Sequence, residues 1–288
     1  MSNVSIGDRD KTDKDSQCKI SPITFKDRAI SADVVIKIGG STLGQHDTTV
    51  ADLVALQKSG RTPVVVHGGG KAITEWQGKL GINATFIRGL RVTDQTTLEM
   101  VVAVLAGVVN KSIVGEINAI GGNAVGISGA DSRLLEARIA DPELGLVGEV
   151  THVRSDVVTA LFDKGFMPVI APLGYKLEGQ KWTMLNINAD TAASEIACAM
   201  KVKELIFTSD VPGIFDATGK VIPEVDRALA SKLIADGTAS KGMIPKIEAC
   251  LKAAAAGTAA HIIDGRQSKA LLDCLDGKAV GTIFKAER

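Results

Sequence analysis

Asp33-Val34-Val35-Ile36-Lys37-Ile38-Gly39-Gly40 is a run of mainly β-branched residues that ends in two glycines and delivers one ammonium, Lys37, to a buried strand end. A lone buried ammonium is costly unless an anion pairs with it. The next such run, Pro63-Val64-Val65-Val66, ends in His67-Gly68-Gly69-Gly70. Two adjacent strands would therefore bring a cation and unhindered backbone N–H groups to one rim, a combination suited to phosphate or carboxylate. A triple glycine alone is equally well a tight turn, and a strand-end lysine alone more often snorkels to the surface. Their pairing is what points to an anion.

Outward from these two runs, short apolar segments alternate with segments of helical period, the pattern of βαβ units. The expected fold is α/β: an open, mainly parallel sheet flanked by helices on both faces. Thr49-Val50-Ala51-Asp52 opens a helix in capping-box style, with Val50, Leu53 and Val54 on one face and Gly60 closing it. Ile73, Trp76 and Leu80 form an inward stripe on a helix that starts at the triple glycine. Leu98, Val101, Val102, Leu105, Val108 and Val109 give a face wide enough for a buried helix or a subunit interface. Further strands are expected over 124–128, 134–139, 147–150, 167–171, 204–208 and 260–264, a hairpin around Glu178-Gly179-Gln180, and helices over 191–200 and 244–256. Residues 1–32 read as a mobile N-terminal extension, with neither a signal peptide nor a membrane span over Met1 to Lys19. A soft boundary near residue 201 divides lobes 33–200 and 201–288.

The 33 basic and 33 acidic residues cancel, which removes any electrostatic reason to expect nucleic acid or an anionic membrane as partner. The four cysteines stand far apart, which gives neither zinc-ligand spacing nor a disulfide framework and suits a reduced cytoplasm. No metal-ligating set is expected. Gly68-Gly69-Gly70-Lys71-Ala72 fails as a Walker A loop, because Val65 stands where glycine is needed and Ala72 where Ser or Thr is needed. It fails as a dinucleotide fingerprint because Ile73 occupies the third glycine position.

Four more segments place polar atoms where the local pattern predicts core or strand ends. Arg88-Gly89-Leu90-Arg91-Val92-Thr93-Asp94 sets two guanidinium groups beside a glycine, and guanidinium suits bidentate grip of a carboxylate; a helix-entry salt bridge explains it as well. Asn186-Ile187-Asn188-Ala189-Asp190 puts three polar residues on one side before a helix, where N-capping by Asp190 explains only one. Thr208-Ser209-Asp210-Val211-Pro212-Gly213 follows an apolar strand and is either a nucleotide-holding loop or a plain turn. Lys241-Gly242-Met243-Ile244-Pro245-Lys246 sets a lysine at a helix start, where the dipole disfavours a cation unless an anion binds there; a surface lysine is the simpler reading.

These six segments, in this order, resemble the amino acid kinase family, and the resemblance covers Val34 to Phe284. It implies a two-lobed fold, with an acyl-amino-acid and dimerisation lobe over 33–200 and an ATP lobe over 201–288. Within the family the match is close to members that transfer the γ-phosphoryl of ATP, with Mg²⁺, to the side-chain carboxylate of N-acetyl-L-glutamate. Their product is N-acetyl-L-glutamyl 5-phosphate, in arginine biosynthesis. By motif position, Lys37 and Lys246 would flank the migrating phosphoryl and Asp190 would orient both. Gly69 and Gly70 would offer N–H groups to the reacting carboxylate, Arg91 would clamp the α-carboxylate, and Asn186 and Asn188 would contact the substrate. Gly39, Gly40, Ser209, Asp210, Val211 and Gly213 would line the nucleotide site. The chemistry needs no general base, because a carboxylate of reference pKa about 4.3 is already ionised at neutral pH.

The alternatives are a kinase of the same family acting on aspartate, carbamate, a nucleoside monophosphate or carrier-linked aminoadipate, or an inactive regulatory protein of the same fold. The resemblance also implies a homo-oligomer. Arginine-inhibited members carry an N-terminal interlacing helix and an acidic glycine-rich loop before the last strand. Here Ser21-Pro22 interrupts the first, and Lys278 adds positive charge to the second, within Cys274 to Thr282. A homodimer weakly or not inhibited by arginine is expected, although His261-Ile262-Ile263-Asp264-Gly265-Arg266 resembles the sensitive members. Nothing indicates a PII-type regulatory partner.

Overall fold

The computed structural model describes residues 33–39, 48–239 and 242–286. The extension over 1–32, with the expected short helix near Phe25 and Ile30, lies outside the described residues, as do Gly40 and Lys241. In chain order the strands are β1 (Val34–Ile38), β2 (Val64–His67), β3 (Phe86–Ile87), β4 (Leu90–Arg91), β5 (Ala124–Ser128), β6 (Leu135–Ile139), β7 (Val147–Val153), β8 (Met167–Ala171), β9 (Leu173–Glu178), β10 (Lys181–Ile187), β11 (Glu204–Ser209), β12 (Ala259–Asp264) and β13 (Thr282–Phe284). The helices are α1 (Thr49–Lys58), α2 (Gly70–Lys79), α3 (Gln95–Val102), α4 (Asn110–Ala119), α5 (Asp156–Asp163), α6 (Ala189–Met200), α7 (Arg227–Ala235), α8 (Ile244–Ala255) and α9 (Ala270–Leu275).

Seven strands form one sheet in the order β13-β12-β11-β1-β2-β8-β5. All neighbours in it are parallel except β12 and β13. β1 and β2 are buried throughout, as unbroken apolar runs covered on both faces must be. The strand order reverses at β1: the chain builds β2 on one side and later returns to place β11 on the other. Ligands of open α/β sheets bind outside the carboxyl ends of the strands at such a reversal. The register pairs Ile38 with both His67 and Thr208, so the ends of β1, β2 and β11 stand level.

Side chains alternate between two cores. Val35, Val66 and Phe207 face one, and Val34, Ile36, Val65 and Ile206 face the other. By this period of two, Lys37 points with Val35 to the face covered by α6 and α8, through Ile196 and Ile247. β6, β7, β9 and β10 close into a second small sheet in the order β10-β7-β6-β9. The β9–β10 hairpin pairs Glu178 with Lys181 around Gly179, at φ 60°. β3 and β4 form a hairpin whose turn residues Arg88 and Gly89 have φ 50° and 80°.

The structure corrects three local expectations. Thr49 does not open a capping box: Thr48 is the N-cap without a side-chain cap bond. The Thr48 and Thr49 hydroxyls reach the carbonyl oxygens of Gln267 and Gly265 instead, at 3.3 and 3.5 Å. On α2 only Ile73 of the expected stripe is buried, while Trp76 and Leu80 are 37% and 58% exposed and Gln77 takes the inward place at 1%. The helix of residues 95–119 is not one α-helix, because Ala103–Val109 between α3 and α4 is wound as a π-helix. Its extra width turns Val108 outward at 47% exposure and packs Leu98, Val101, Leu105, Val109, Ile113 and Ile117 into the molecule. That segment is also long and apolar enough to cross a membrane, and its packed face accounts for the composition.

Candidate active site

Asp190 lies in the first turn of α6 and Lys246 in the first turn of α8. Lys37 from β1 meets them. Its Nζ is 2.8 Å from Asp190 Oδ1, and Lys246 Nζ is 3.1 and 3.2 Å from Asp190 Oδ1 and Oδ2. Both lysines are 7% exposed and Asp190 8%. Burial pushes the Asp190 carboxyl up, but the two ammonium groups outweigh it and hold it at about 2. Burial pushes the Lys37 ammonium down, with Asp190 opposing and Lys246 assisting. Lys246 also lies over the Phe207 ring, 5.1 Å from its centroid. Two buried cations share one carboxylate, so the set keeps a surplus positive charge that a bound anion would offset.

Asp190 is available to the lysines because it is not the cap of α6. Asn188 is: its Oδ1 accepts from the backbone N–H groups of Asp190 and Thr191 at 2.9 and 3.0 Å. This corrects the expected cap, and the reason is positional, since a cap side chain lies outside the helix whereas Asp190 must face β1.

A cavity of about 230 Å³ opens on one side of this set, lined by Lys37, Gly68 to Gly70, Arg91, Asn186, Asn188 and Asp190. Arg91 is held by three neutral acceptors: Gln77 Oε1, Gly70 O at 3.0 Å and Thr74 Oγ1 at 2.8 Å. Its guanidinium also stacks on Phe86, 4.7 Å from the ring centroid. It makes no ion pair among the described residues, which leaves its charge for a ligand. Arg88 diverges at the left-handed turn and pairs with Asp141 on the surface. Asn186 donates to Thr93 Oγ1 at 3.2 Å.

A Cβ on Gly69 would stand 2.4 Å from Leu105 Cδ2, whereas one on Gly70 would meet nothing within 4 Å. Leu105 is 2% exposed and cannot move freely. Gly69→Ala is therefore expected to lose about 1–3 kcal/mol of stability, the usual cost of overpacking. Gly70→Ala should keep the stability and obstruct the cavity. Urea unfolding of both variants checks this, and equal midpoints would show that Gly69 is not sterically confined.

His67 fixes the turn. Its Nδ1–H donates to Gly68 O at 2.8 Å, and its Nε2 accepts from Asn110 Nδ2 at 3.2 Å. Burial holds the imidazole at about 4, against the opposing pull of the Gly68 bond. The unfolded chain, with histidine near 6.5, takes up the proton first, so stability should fall as pH drops below 6.5 and level off below about 4. The loss is on the order of 3 kcal/mol. Unfolding midpoints across this range, with His67→Gln as the comparison, should show a shallower slope in the variant. A wild-type protein without that slope would mean that His67 is not held neutral.

A second cavity, of about 360 Å³, opens on the other side and is lined by Lys37, Gly39, Asp190, Thr208, Ser209, Asp210, Val211, Gly242, Met243 and Lys246. Gly213 does not line it; a Cβ there would be 2.6 Å from Thr282 Oγ1, so this glycine serves the packing of the loop. Thr208, the first residue of the candidate nucleotide loop, lines this cavity and donates to Lys37 O at 3.3 Å. Gln77, Thr74 and Asn110 belong to none of the six sequence segments. Gly70, Thr74 and Gln77 stand at i, i+4 and i+7, a polar stripe of helical period that was there to be read beside the apolar one.

The comparisons with known proteins agree with this geometry. The model of the amino acid kinase family matches residues 34–264. An acetylglutamate kinase of Dehalococcoides mccartyi is 42% identical over 253 residues, 86% of this chain and 93% of its own length. That of Jannaschia sp. is 44% identical over 269 residues, 92% of this chain and 93% of its own. The solved structure of smu.665 from Streptococcus mutans is similar at TM-score 0.76 and 29% identity, covering 88% of this chain and 98% of that one. Giardia carbamate kinase, at TM-score 0.65 and 16% identity over 89% of this chain and 99% of its own, is alike in fold alone. With the family's model spanning the strand that carries Lys37, the triple-glycine turn and the helix start that carries Lys246, the chain belongs to the amino acid kinase family.

Proposed function

We propose that the chain transfers the γ-phosphoryl of ATP to the side-chain carboxylate of N-acetyl-L-glutamate, giving N-acetyl-L-glutamyl 5-phosphate in arginine biosynthesis. One observation carries the reading: Lys37 and Asp190 line both cavities, so the buried set stands at the boundary between two sites. An acceptor in the smaller cavity and a nucleotide in the larger would meet there. The acetylglutamate kinases of Dehalococcoides mccartyi and Jannaschia sp. support the choice of acceptor.

The residues then divide the work. Arg91 grips the α-carboxylate, and Asn186 and Asn188 bound the acyl-amino acid. The N–H groups of Gly69 and Gly70 face the reacting carboxylate, which attacks the γ-phosphorus as an anion and loses no proton. Lys37 and Lys246 offset charge on the oxygens that separate, and Asp190 keeps both in place. Gly39, Gly40, Ser209, Asp210 and Val211 hold the nucleotide, and Gly213 shapes their loop. Among the described residues no group of three His, Cys, Asp or Glu could hold a metal. Mg²⁺ enters as part of the nucleotide substrate, bound mainly by its phosphates.

This reading assigns 33–200 to the acyl-amino acid and 201–288 to ATP, in a cytoplasmic homodimer without nucleic acid or membrane partners. Arginine should inhibit weakly or not at all, and no PII-type partner is required. The test is ATP-dependent acyl-phosphate trapping with N-acetyl-L-glutamate, glutamate, aspartate and N-acetylaminoadipate in parallel. Among these four, product with N-acetyl-L-glutamate alone is expected, and preference for glutamate, aspartate or N-acetylaminoadipate would overturn the assignment.

A further inference from the structure

We propose that this chain also phosphorylates N-acyl-L-glutamates whose acyl group is longer than acetyl, the added carbons lying in a third cavity behind the acceptor site. The proposal rests on the carboxylate-kinase reading above. An N-acylglutamate has three branches. Its reacting carboxylate is committed to the glycine turn, and its α-carboxylate to Arg91. The neutral acyl branch is left the remaining wall, which includes Leu90, Val147 and Asn188.

Those three residues also line a cavity of about 690 Å³, against about 230 Å³ for the acceptor site. The two spaces are therefore neighbours through a shared wall, and the larger has no part in the reaction as derived. Its other sides include Ala140 from the segment after β6, Thr191 of α6, and Ile244 and Pro245 at the start of α8. The charged groups around it are Arg88, Glu149 and Glu248. Arg88 is paired with Asp141 and Glu149 with Arg138, and the side chains of both Arg88 and Glu149 are more than half exposed. Carbon surface from Leu90, Val147, Ala140, Ile244 and Pro245, with Arg88 and Glu149 paired and Glu248 exposed to solvent, fits an uncharged aliphatic chain.

The test is the steady-state kinetics of the full chain with ATP and N-acetyl-, N-butanoyl- and N-hexanoyl-L-glutamate. KM should fall with chain length, by up to about fourfold per methylene where burial is complete, while kcat stays constant. Ala140→Phe fills the third cavity from an exposed position outside the acceptor site, so it should fold normally. It should abolish the gain with the longer chains and leave N-acetyl-L-glutamate kinetics unchanged. A KM that rises from acetyl to butanoyl, or a chain-length profile untouched by Ala140→Phe, would overturn the proposal while leaving the kinase reading intact. Absence of turnover with all three acceptors would remove both.

Discussion

Lys37→Ala and Lys246→Ala should each lower kcat by roughly 10²-fold or more, with a much smaller change in KM for N-acetyl-L-glutamate. The reason is where their charge sits. Both ammonium groups are within 3.2 Å of one buried carboxylate, so neither is committed wholly to it. The charge they can offer is worth most when the phosphoryl group separates from both oxygens, and the acceptor's own carboxylates are bound by other groups. Each variant also removes a cation rather than stranding one, since Asp190 keeps the remaining lysine. The folded state should therefore survive, which circular dichroism can verify before the kinetics are read. A variant turning over at near wild-type kcat would remove that lysine from the catalytic set.

Arg91→Lys should raise KM for N-acetyl-L-glutamate by about thirtyfold or more and leave KM for ATP unchanged. Gln77, Thr74 and Gly70 orient a planar fork, and a lysine ammonium at the same place keeps the charge without the two parallel donors. Losing one partner of a buried charged pair costs roughly 2–5 kcal/mol, of which the lower end corresponds to about thirtyfold. A change confined to KM for ATP would assign Arg91 to the nucleotide instead.

The parts of the site that were legible in the sequence are those written in short runs. Val34 to Gly39 and Val64 to Gly70 announce themselves because a doubly covered parallel strand must be continuously apolar and a close approach of backbone needs glycine. The parts that were not legible depend on partners far along the chain. Gln77 displaces Trp76 from the inward face of α2 because Arg91, fourteen residues on, needs an acceptor there. Asn188 rather than Asp190 caps α6 because Lys37 and Lys246 claim the aspartate from other elements. Of the closed sheet of β6, β7, β9 and β10 the sequence shows two strands and a hairpin but not their closure, since the closing pairings join residues as distant as Val147 and Asn186. Propensity carries no record of such pairings.

The π-wound turn over Ala103–Val109 makes the length of this helix part of its message. Asn110 follows it directly and holds His67. A π-turn takes up one residue more than an α-turn without rotating the helix beyond it. Deleting one residue between 103 and 109 would therefore restore regular winding and leave Asn110 facing the imidazole, whereas adding one to the α-helix would carry it about 100° round the axis. Substitutions in this stretch have only local contacts to lose. An added residue would shift a whole helical face at once, and loss of the hydrogen bond between Asn110 and His67 would report it.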